Sequence, residues 1–350
     1  MKLTGILSLS LAALLLAHSP LQAQTNGLEP GNNFFLQSPE SSKYVVIMAG
    51  PTVGEENRFR FRQWAFSLHD ILGRDYGYSS EDIVLLYDRG AEADPDNPRI
   101  DGAVTKEGIE QALDDLLARV EVGDQITLYL IGHGSGAEEE AKFNIVGPDI
   151  TGIEFAELLD QFEQQDIVII NTTSASYGFS ASLSSEGRVV ISSTRSPTER
   201  YDPIFSGYFI EALDQRNGDR DKNNRVSMLE AFNYAKASVE QWYADQGRLA
   251  SEHAGLDDNG DALFTLSPTV NEVDGRLAEI AYIDKLEDDN ANLSPAARAL
   301  KAQMQELERS VFILRGRKAD FLEADYWQQM EELLVELART TGRFNELVAQ

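Results

Sequence analysis

The sequence predicts an α/β fold, a mostly parallel sheet flanked by helices, with an α-helical hairpin at the C-terminus. Three observations lead there. Five short apolar runs rich in β-branched residues recur through the first part of the 350-residue chain, and each is continuous rather than alternating, as strands buried on both faces are. Amphipathic segments with three- and four-residue apolar spacing separate them, which suits right-handed crossovers between parallel strands. Near Pro268 the texture changes and long helical patterns take over.

The first strand is expected at residues 44–50, where Tyr44, Val45, Val46, Ile47 and Met48 follow one another. A helix follows, with Phe61, Trp64, Ala65, Leu68 and Leu72 on one face. Residues 82–87 read as a second strand. Thr105 is placed to cap a helix whose buried stripe is Ile109, Ala112, Leu113, Leu116, Leu117 and Val120. Residues 125–131 form the third strand, Thr151 and Glu154 a capping box, and residues 166–171 and 188–192 the last two strands. Beyond residue 267 the chain is expected to be helical. Ser294 and Pro295 start a helix whose Leu300, Met304, Leu307, Val311 and Leu314 fall at heptad spacing, and Trp327, Met330, Leu334 and Leu337 offer a second seam. The pair reads as an antiparallel hairpin that packs on its own chain or self-associates with another.

Composition narrows the setting. Lys2, the apolar run 6–17 and the small-residue site ending at Ala23 have the layout of a secretory signal peptide, too short in its apolar part to span a bilayer. Residues 24–43 follow as a polar segment. The chain is therefore expected in the periplasm or outside the cell, with no integral membrane span after cleavage. It contains no cysteine, so neither disulfides nor a thiol for lipid attachment are available. A formal charge of -28 argues against nucleic acid as a partner and suits divalent cations.

Ligands of parallel sheets sit beyond the carboxyl ends of the strands, and two chemically distinctive segments lie there. His133, flanked by Gly132 and Gly134, closes the third strand, and its neutral imidazole is a natural proton acceptor near pH 7. The next strand ends in a hydroxyl-rich turn that runs from Asn171 through Thr172, Thr173, Ser174, Ala175 and Ser176 to Tyr177 and Gly178.

With residues 44–50, the Arg- and aromatic-rich stretch from Arg58 to Trp64 and the Ile131-Gly132-His133-Gly134-Ser135 run, that turn resembles the legumain family, peptidase C13. The resemblance extends over roughly residues 44–215 and implies a caspase-like fold for a domain spanning residues 44–266. It also implies a site built on a Cys-His dyad. The family's nucleophile turn reads small residue, Cys, any residue, Ser, Gly, and the matching frame here is Thr173-Ser174-Ala175-Ser176-Tyr177. Ser174 thus occupies the Cys position, with Thr173 and Ser176 as alternative hydroxyls, and Tyr177 stands where Gly is expected. In the same manner the resemblance assigns substrate binding to Arg60, Arg62, Gly134 and Arg195, although surface ion pairing competes for each arginine.

Replacing thiol by hydroxyl matters because serine is a far weaker acid and normally needs a base that is itself oriented by a carboxylate. Glu138, Glu139 and Glu140 are acids near His133 in sequence, and nothing in the sequence singles out a third member. The expected function is that of a degenerate peptidase that binds peptide or protein segments without efficient turnover. The alternative is an active peptidase with Ser174 as nucleophile and His133 as base.

A second chemical motif falls at residues 219–230. Asp219, Asp221, Asn223, Arg225 (through its carbonyl), Ser227 and Glu230 occupy positions 1, 3, 5, 7, 9 and 12 of an EF-hand-like loop, which predicts a structural Ca²⁺. Asn224 stands at the sixth position, where glycine is usual, and asparagine tolerates the left-handed conformation needed there. Ser227 and Glu230 also spell a capping box. Asp257, Asn259 and Asp261 repeat the acidic alternation without a closing glutamate, and read as an Asx-rich turn.

Overall fold

The computed structural model of the chain describes residues 34–35, 41–270, 274–285, 293–316 and 318–348. The expected signal peptide lies outside them, as does most of the polar segment after it. Five parallel strands form the centre: β1 (Lys43–Ala49), β2 (Ile83–Tyr87), β3 (Gln125–Ile131), β7 (Asp166–Asn171) and β8 (Arg188–Ser192). Their bounds match the apolar runs to within a residue or two. A short sixth strand, β9 (Gly255–Asp257), joins β8 antiparallel and gives the order β2-β1-β3-β7-β8-β9. Three residues without a run of their own carried no strand signal in the sequence.

Because the central strands are apolar at most positions, each splits its side chains between two cores. On one face Val45, Ile47, Tyr129, Ile131, Val168 and Ile170 pack with α1 (Glu55–Asp75), α5 (Phe205–Leu213) and α6 (Met228–Asp245). On the other, Val46, Met48, Leu128, Leu130, Ile167 and Ile169 pack with α2 (Lys106–Leu117), α3 (Gly152–Leu159) and α4 (Ser176–Leu183). The caps form as their residue types require. The Thr105 hydroxyl accepts from the Gly108 amide, and capping boxes close at Thr151–Glu154 and Ser227–Glu230.

A small antiparallel sheet, β4 (Gly134–Ser135), β5 (Lys142–Phe143) and β6 (Ile150–Thr151), grows out of the end of β3. It buries Phe143 and Ile150 against the second core and holds the backbone beside His133. The first core continues past residue 266. The one-turn helix α7 (Arg276–Ile280) and the residues after it contribute Ala278, Ala281 and Ile283, while the buried Asp258 carboxylate accepts from the Gly275 and Ala278 amides at its start.

The expected hairpin is present as α8 (Pro295–Gly316) and α9 (Glu323–Val348). Its own small core is Leu314, Tyr326 and Met330, with Val311, Phe321 and Leu333 packed around it. The second seam is only partly inside: Met330 is buried, whereas Trp327 and Leu334 are exposed. Arg315 grips Glu279 with both carboxylate contacts at 3.0 Å, and Arg276 lies over the Phe312 ring. Among the described residues no helix is long and apolar enough to cross a membrane.

Neither main core includes a residue of α8 or α9. Removing residues 294–350 is therefore expected to leave a folded α/β unit, at the cost of contacts that include the Arg315–Glu279 ion pair and the Arg276–Phe312 cation–π contact, each about 1 kcal/mol or less. Thermal melts followed by circular dichroism should show a cooperative transition lowered by no more than about 8 °C. Aggregation, or loss of the cooperative transition, would contradict this partition.

Candidate functional site

The parallel register of β3 with β7 sets Leu130 opposite Asn171, so the turns after the two strands emerge side by side. They touch. A Cβ on Gly134 would sit 2.2 Å from the Ser174 carbonyl oxygen and 3.0 Å from the Thr173 hydroxyl, so no larger residue fits between them. The Gly134 amide donates to Ser174 Oγ at 3.2 Å, and the same hydroxyl lies 3.4 Å from the Gly134 carbonyl. Ser174 is 3% exposed.

The turn after β7 is sharp. Ala175 takes a left-handed conformation (φ 50°, ψ 31°) directly before α4 begins at Ser176. For a residue with a Cβ this costs on the order of 1 kcal/mol, and it sets Ser174 at the apex between strand and helix. Neighbouring hydroxyls hold the turn in place. Thr173 donates through its amide and its hydroxyl to Asn171 Oδ1, and its carbonyl accepts from Ser193 Oγ. Ser176 Oγ lies within 3.1 Å of the Ser192, Ser193 and Thr194 hydroxyls. Both alternative hydroxyls are buried and committed to these bonds, which leaves Ser174 as the one bonded to β4.

His133 is partly exposed and faces an acid that the sequence did not reveal. Its Nδ1 lies 2.8 Å from Asp202 Oδ1. Asn57 Nδ2 donates to the other oxygen of Asp202 at 2.7 Å, and Arg60 comes within 3.7 Å of it while its guanidinium lies 5.2 Å from the Trp64 ring centre. Phe61 stands 5.4 Å from the imidazole, ring centre to ring centre. Burial alone would push the Asp202 carboxyl above its ordinary value. The His133 hydrogen bond, the charges of His133 and Arg60 and the Asn57 amide outweigh that and hold its carboxyl below the usual range. An Nδ1–H donated to Asp202 leaves Nε2 as the basic nitrogen of the ring. Glu138, Glu139 and Glu140 form an exposed turn instead, away from this role.

The remaining arginines are distributed. Arg62 pairs with Asp94 at 2.6 Å and lies over Phe66, on the side of α1 turned to the 88–100 loop. Arg195 lies at the end of β8, half exposed, 3.4 Å from Glu199. Glu199 is the second unanticipated acid. Its buried carboxylate accepts from the Arg195 and His253 amides and meets His253 Nδ1 at 2.6 Å, and its carbonyl accepts from the Ala175 amide at 3.0 Å. This one residue ties the loop after β8 and the loop before β9 to the Ser174 turn. Asp202 and Glu199 both follow β8, whose carboxyl end opens toward the same edge as those of β3 and β7. That position is the signal by which they were findable.

The 219–230 loop lies elsewhere. Asp219, Asp221 and Glu230 present carboxylate oxygens that all lie within 4.8 Å of one another. Asn224 is left-handed (φ 65°), as its place in the motif requires. Asp219 accepts from the Asn223 and Asn224 amides, and Asn223 turns its amide to Asp221 and its oxygen to the Arg225 amide. Ser227 is engaged in the capping box with Glu230, and the Arg225 side chain stacks on Tyr282 at 3.6 Å. Partial burial and the charges of Glu230 and Asp219 raise the Asp221 carboxyl above its ordinary range. In the 257–263 segment Asp257 accepts from the Asn259, Gly260 and Ala262 amides, an Asx-rich turn as read from the sequence.

No family model matches this chain, and no curated protein matches it. Among solved structures it is similar to the crystal structure of protein GSU0716 from Geobacter sulfurreducens, with 10% identity, 62% of this chain and 92% of that chain covered, and a TM-score of 0.40.

Asp202 gathers His133, Asn57 and Arg60, so Asp202→Ala is expected to destabilise the protein by about 1–3 kcal/mol near neutral pH. A carboxyl held below its ordinary value contributes stability that is present above the unfolded value, roughly 3.9, and is lost as pH falls through the folded one. Urea titrations from pH 8 to pH 3 should therefore show the gap between wild type and Asp202→Ala closing below about pH 4. A gap that is absent at pH 7, or that widens in acid, would contradict this.

Proposed function

We propose that this chain is a legumain-like protein of the caspase-like type, a degenerate peptidase that binds peptide segments where β3 and β7 end, without efficient turnover and outside the cytoplasm. The observation that carries the reading is the state of Ser174. It stands in the family's Cys position at the apex of the turn, yet it is nearly buried, and its hydroxyl bonds to the Gly134 backbone rather than to His133. A serine so placed has no base in contact, and it is far harder to ionise than the thiol it replaces. The strand order with a terminal antiparallel strand supports the caspase-like reading. Peptide or protein segments are the partners this implies; an acidic chain of charge -28 suits neither nucleic acid nor anionic lipid.

One observation favours the second reading, an active Ser174 hydrolase. The His133–Asp202 contact supplies the orienting carboxylate that a serine nucleophile needs. A rotation of the Ser174 hydroxyl toward Nε2 on substrate binding is then the remaining requirement, and the Gly134 amide, freed from Ser174, becomes a donor for the developing oxyanion.

The two readings separate with an electrophilic peptide probe ending in Asn or Asp. Under the proposal Ser174→Cys is labelled, His133→Ala in that background lowers labelling by about tenfold or more, and wild type stays unlabelled. Labelling of wild type at Ser174 would favour the hydrolase. Equal labelling of Ser174→Cys with and without His133 would show that the two residues do not act together.

The 219–230 loop we assign to a structural Ca²⁺ held by Asp219, Asp221 and Glu230, with Asn223, Ser227 and the Arg225 carbonyl completing the set. Its three convergent carboxylates and the raised Asp221 support a cation there. Millimolar calcium should then raise the melting temperature of chelator-treated protein, and Glu230→Gln should abolish most of the shift. An unchanged midpoint in wild type, or equal shifts in both proteins, would overturn the assignment.

A further inference from the structure

The loop between β8 and α5 carries Asp202, and residues 200–203 have little of their own to hold them. Among the described residues no backbone hydrogen bond joins these positions to another element. The loop is fastened instead on either side of Asp202, and both fastenings come from two adjacent residues far along the chain. Glu252 and His253 stand just before β9, and the antiparallel register that sets Ser192 opposite Gly255 runs them alongside the residues that follow β8. The buried Glu252 carboxylate takes the end of the loop. Its Oε1 accepts from the Ile204 amide at 3.0 Å and the Tyr243 hydroxyl at 3.2 Å, and its Oε2 accepts from the Phe205 amide at 3.1 Å. His253 takes the other side. Its amide and its Nδ1 meet the two oxygens of Glu199 at 3.0 and 2.6 Å, and the Glu199 carbonyl accepts from the Ala175 amide in turn.

Asp202 lies three residues after Glu199 and two before Ile204. Fixing both ends of so short a segment leaves it few conformations, and the Asp202 carboxylate then meets His133 Nδ1 at 2.8 Å. Glu252 does not repay its burial through packing. Burial pushes its carboxyl up to about 7, so it withdraws stability as pH rises from the unfolded value, about 4.3, through the folded one. Packing alone would be met at less cost by an apolar side chain, whereas accepting two helix amides at once needs both carboxylate oxygens. We propose that Glu252 and His253 are positioning residues of this site: clasped on the α5 amides and on Glu199, they hold the 195–205 loop so that Asp202 orients His133 and the Ser174 turn keeps its apex. The proposal rests on the reading of His133, Asp202 and Ser174 as one site.

Glutamine keeps the shape of Glu252 but only one acceptor oxygen, so Glu252→Gln must turn its NH₂ toward one of the two α5 amides and release it. Long-range ¹H–¹⁵N spectra of the imidazole in the full-length chain at pH 8 test the consequence. Glu252→Gln and His253→Ala should each move His133 from the Nδ1–H form toward the spectrum of Asp202→Ala. His253→Asn, whose Nδ2 stands in for the ring Nδ1, should restore the wild-type spectrum. Ile109→Val, a mild destabilisation in the opposite core, should leave that spectrum unchanged. In the Ser174→Cys background, Glu252→Gln and His253→Ala should slow labelling by the peptide probe about tenfold. Wild-type His133 spectra in folded Glu252→Gln and His253→Ala would overturn the proposal. Spectra that shift while Ser174→Cys itself stays unlabelled would instead overturn the peptide-site reading and leave the clasp standing.

Discussion

The pairing of β3 with β7 is the constraint on which the rest of the site depends. Because the two strands are parallel and in register from Gln125–Asp166 to Leu130–Asn171, their connections leave at the same edge and at nearly the same height. The chemistry of this site follows from that edge. His133 comes off β3, the Ser174 turn comes off β7, and the loop after β8 delivers Glu199 and Asp202 into the same space. The close approach at Gly134, which admits no side chain, is the point where the two turns lock.

Much of this architecture was legible in the sequence because buried parallel strands write themselves as uninterrupted apolar runs. The bounds of β3, β7 and β8 coincide with those runs. The His133 and Ser174 turns were likewise placed at the strand ends by their position after β3 and β7. What escaped the sequence shares one property: it depends on contacts between loops far apart in the chain. Asp202 follows a proline-containing loop with no periodicity, and only the fold brings it to His133. The pairing of Glu199 with His253 joins residues 54 apart. The edge strand β9 is three residues long and the strands of the small sheet two each, below the length at which a pattern can be read.

The site is more highly ordered than a vestige of packing requires. Ala175 is held left-handed against an intrinsic preference, Glu199 fastens three loops through its carboxylate and its backbone carbonyl, and Asp202 is partnered by His133, Asn57 and Arg60 at once. Such arrangements over-determine a backbone that would otherwise relax. The Ser174 hydroxyl sits in this frame without disturbing it, because its contacts with the Gly134 backbone tie the apex further into the fold. A rigid frame around a hydroxyl with no base in contact suits binding better than turnover, which is the basis of the binding reading proposed above.

The central claim is that Asp202 fixes the orientation of His133, so that Nδ1 carries the proton and Nε2 is left as the basic nitrogen. Long-range ¹H–¹⁵N correlation spectra of the imidazole at pH 8 read this directly. The account predicts a His133 ring protonated at Nδ1 in wild type and a shift toward the Nε2–H form in Asp202→Ala. A wild-type ring protonated mainly at Nε2, or identical spectra for the two proteins, would contradict it.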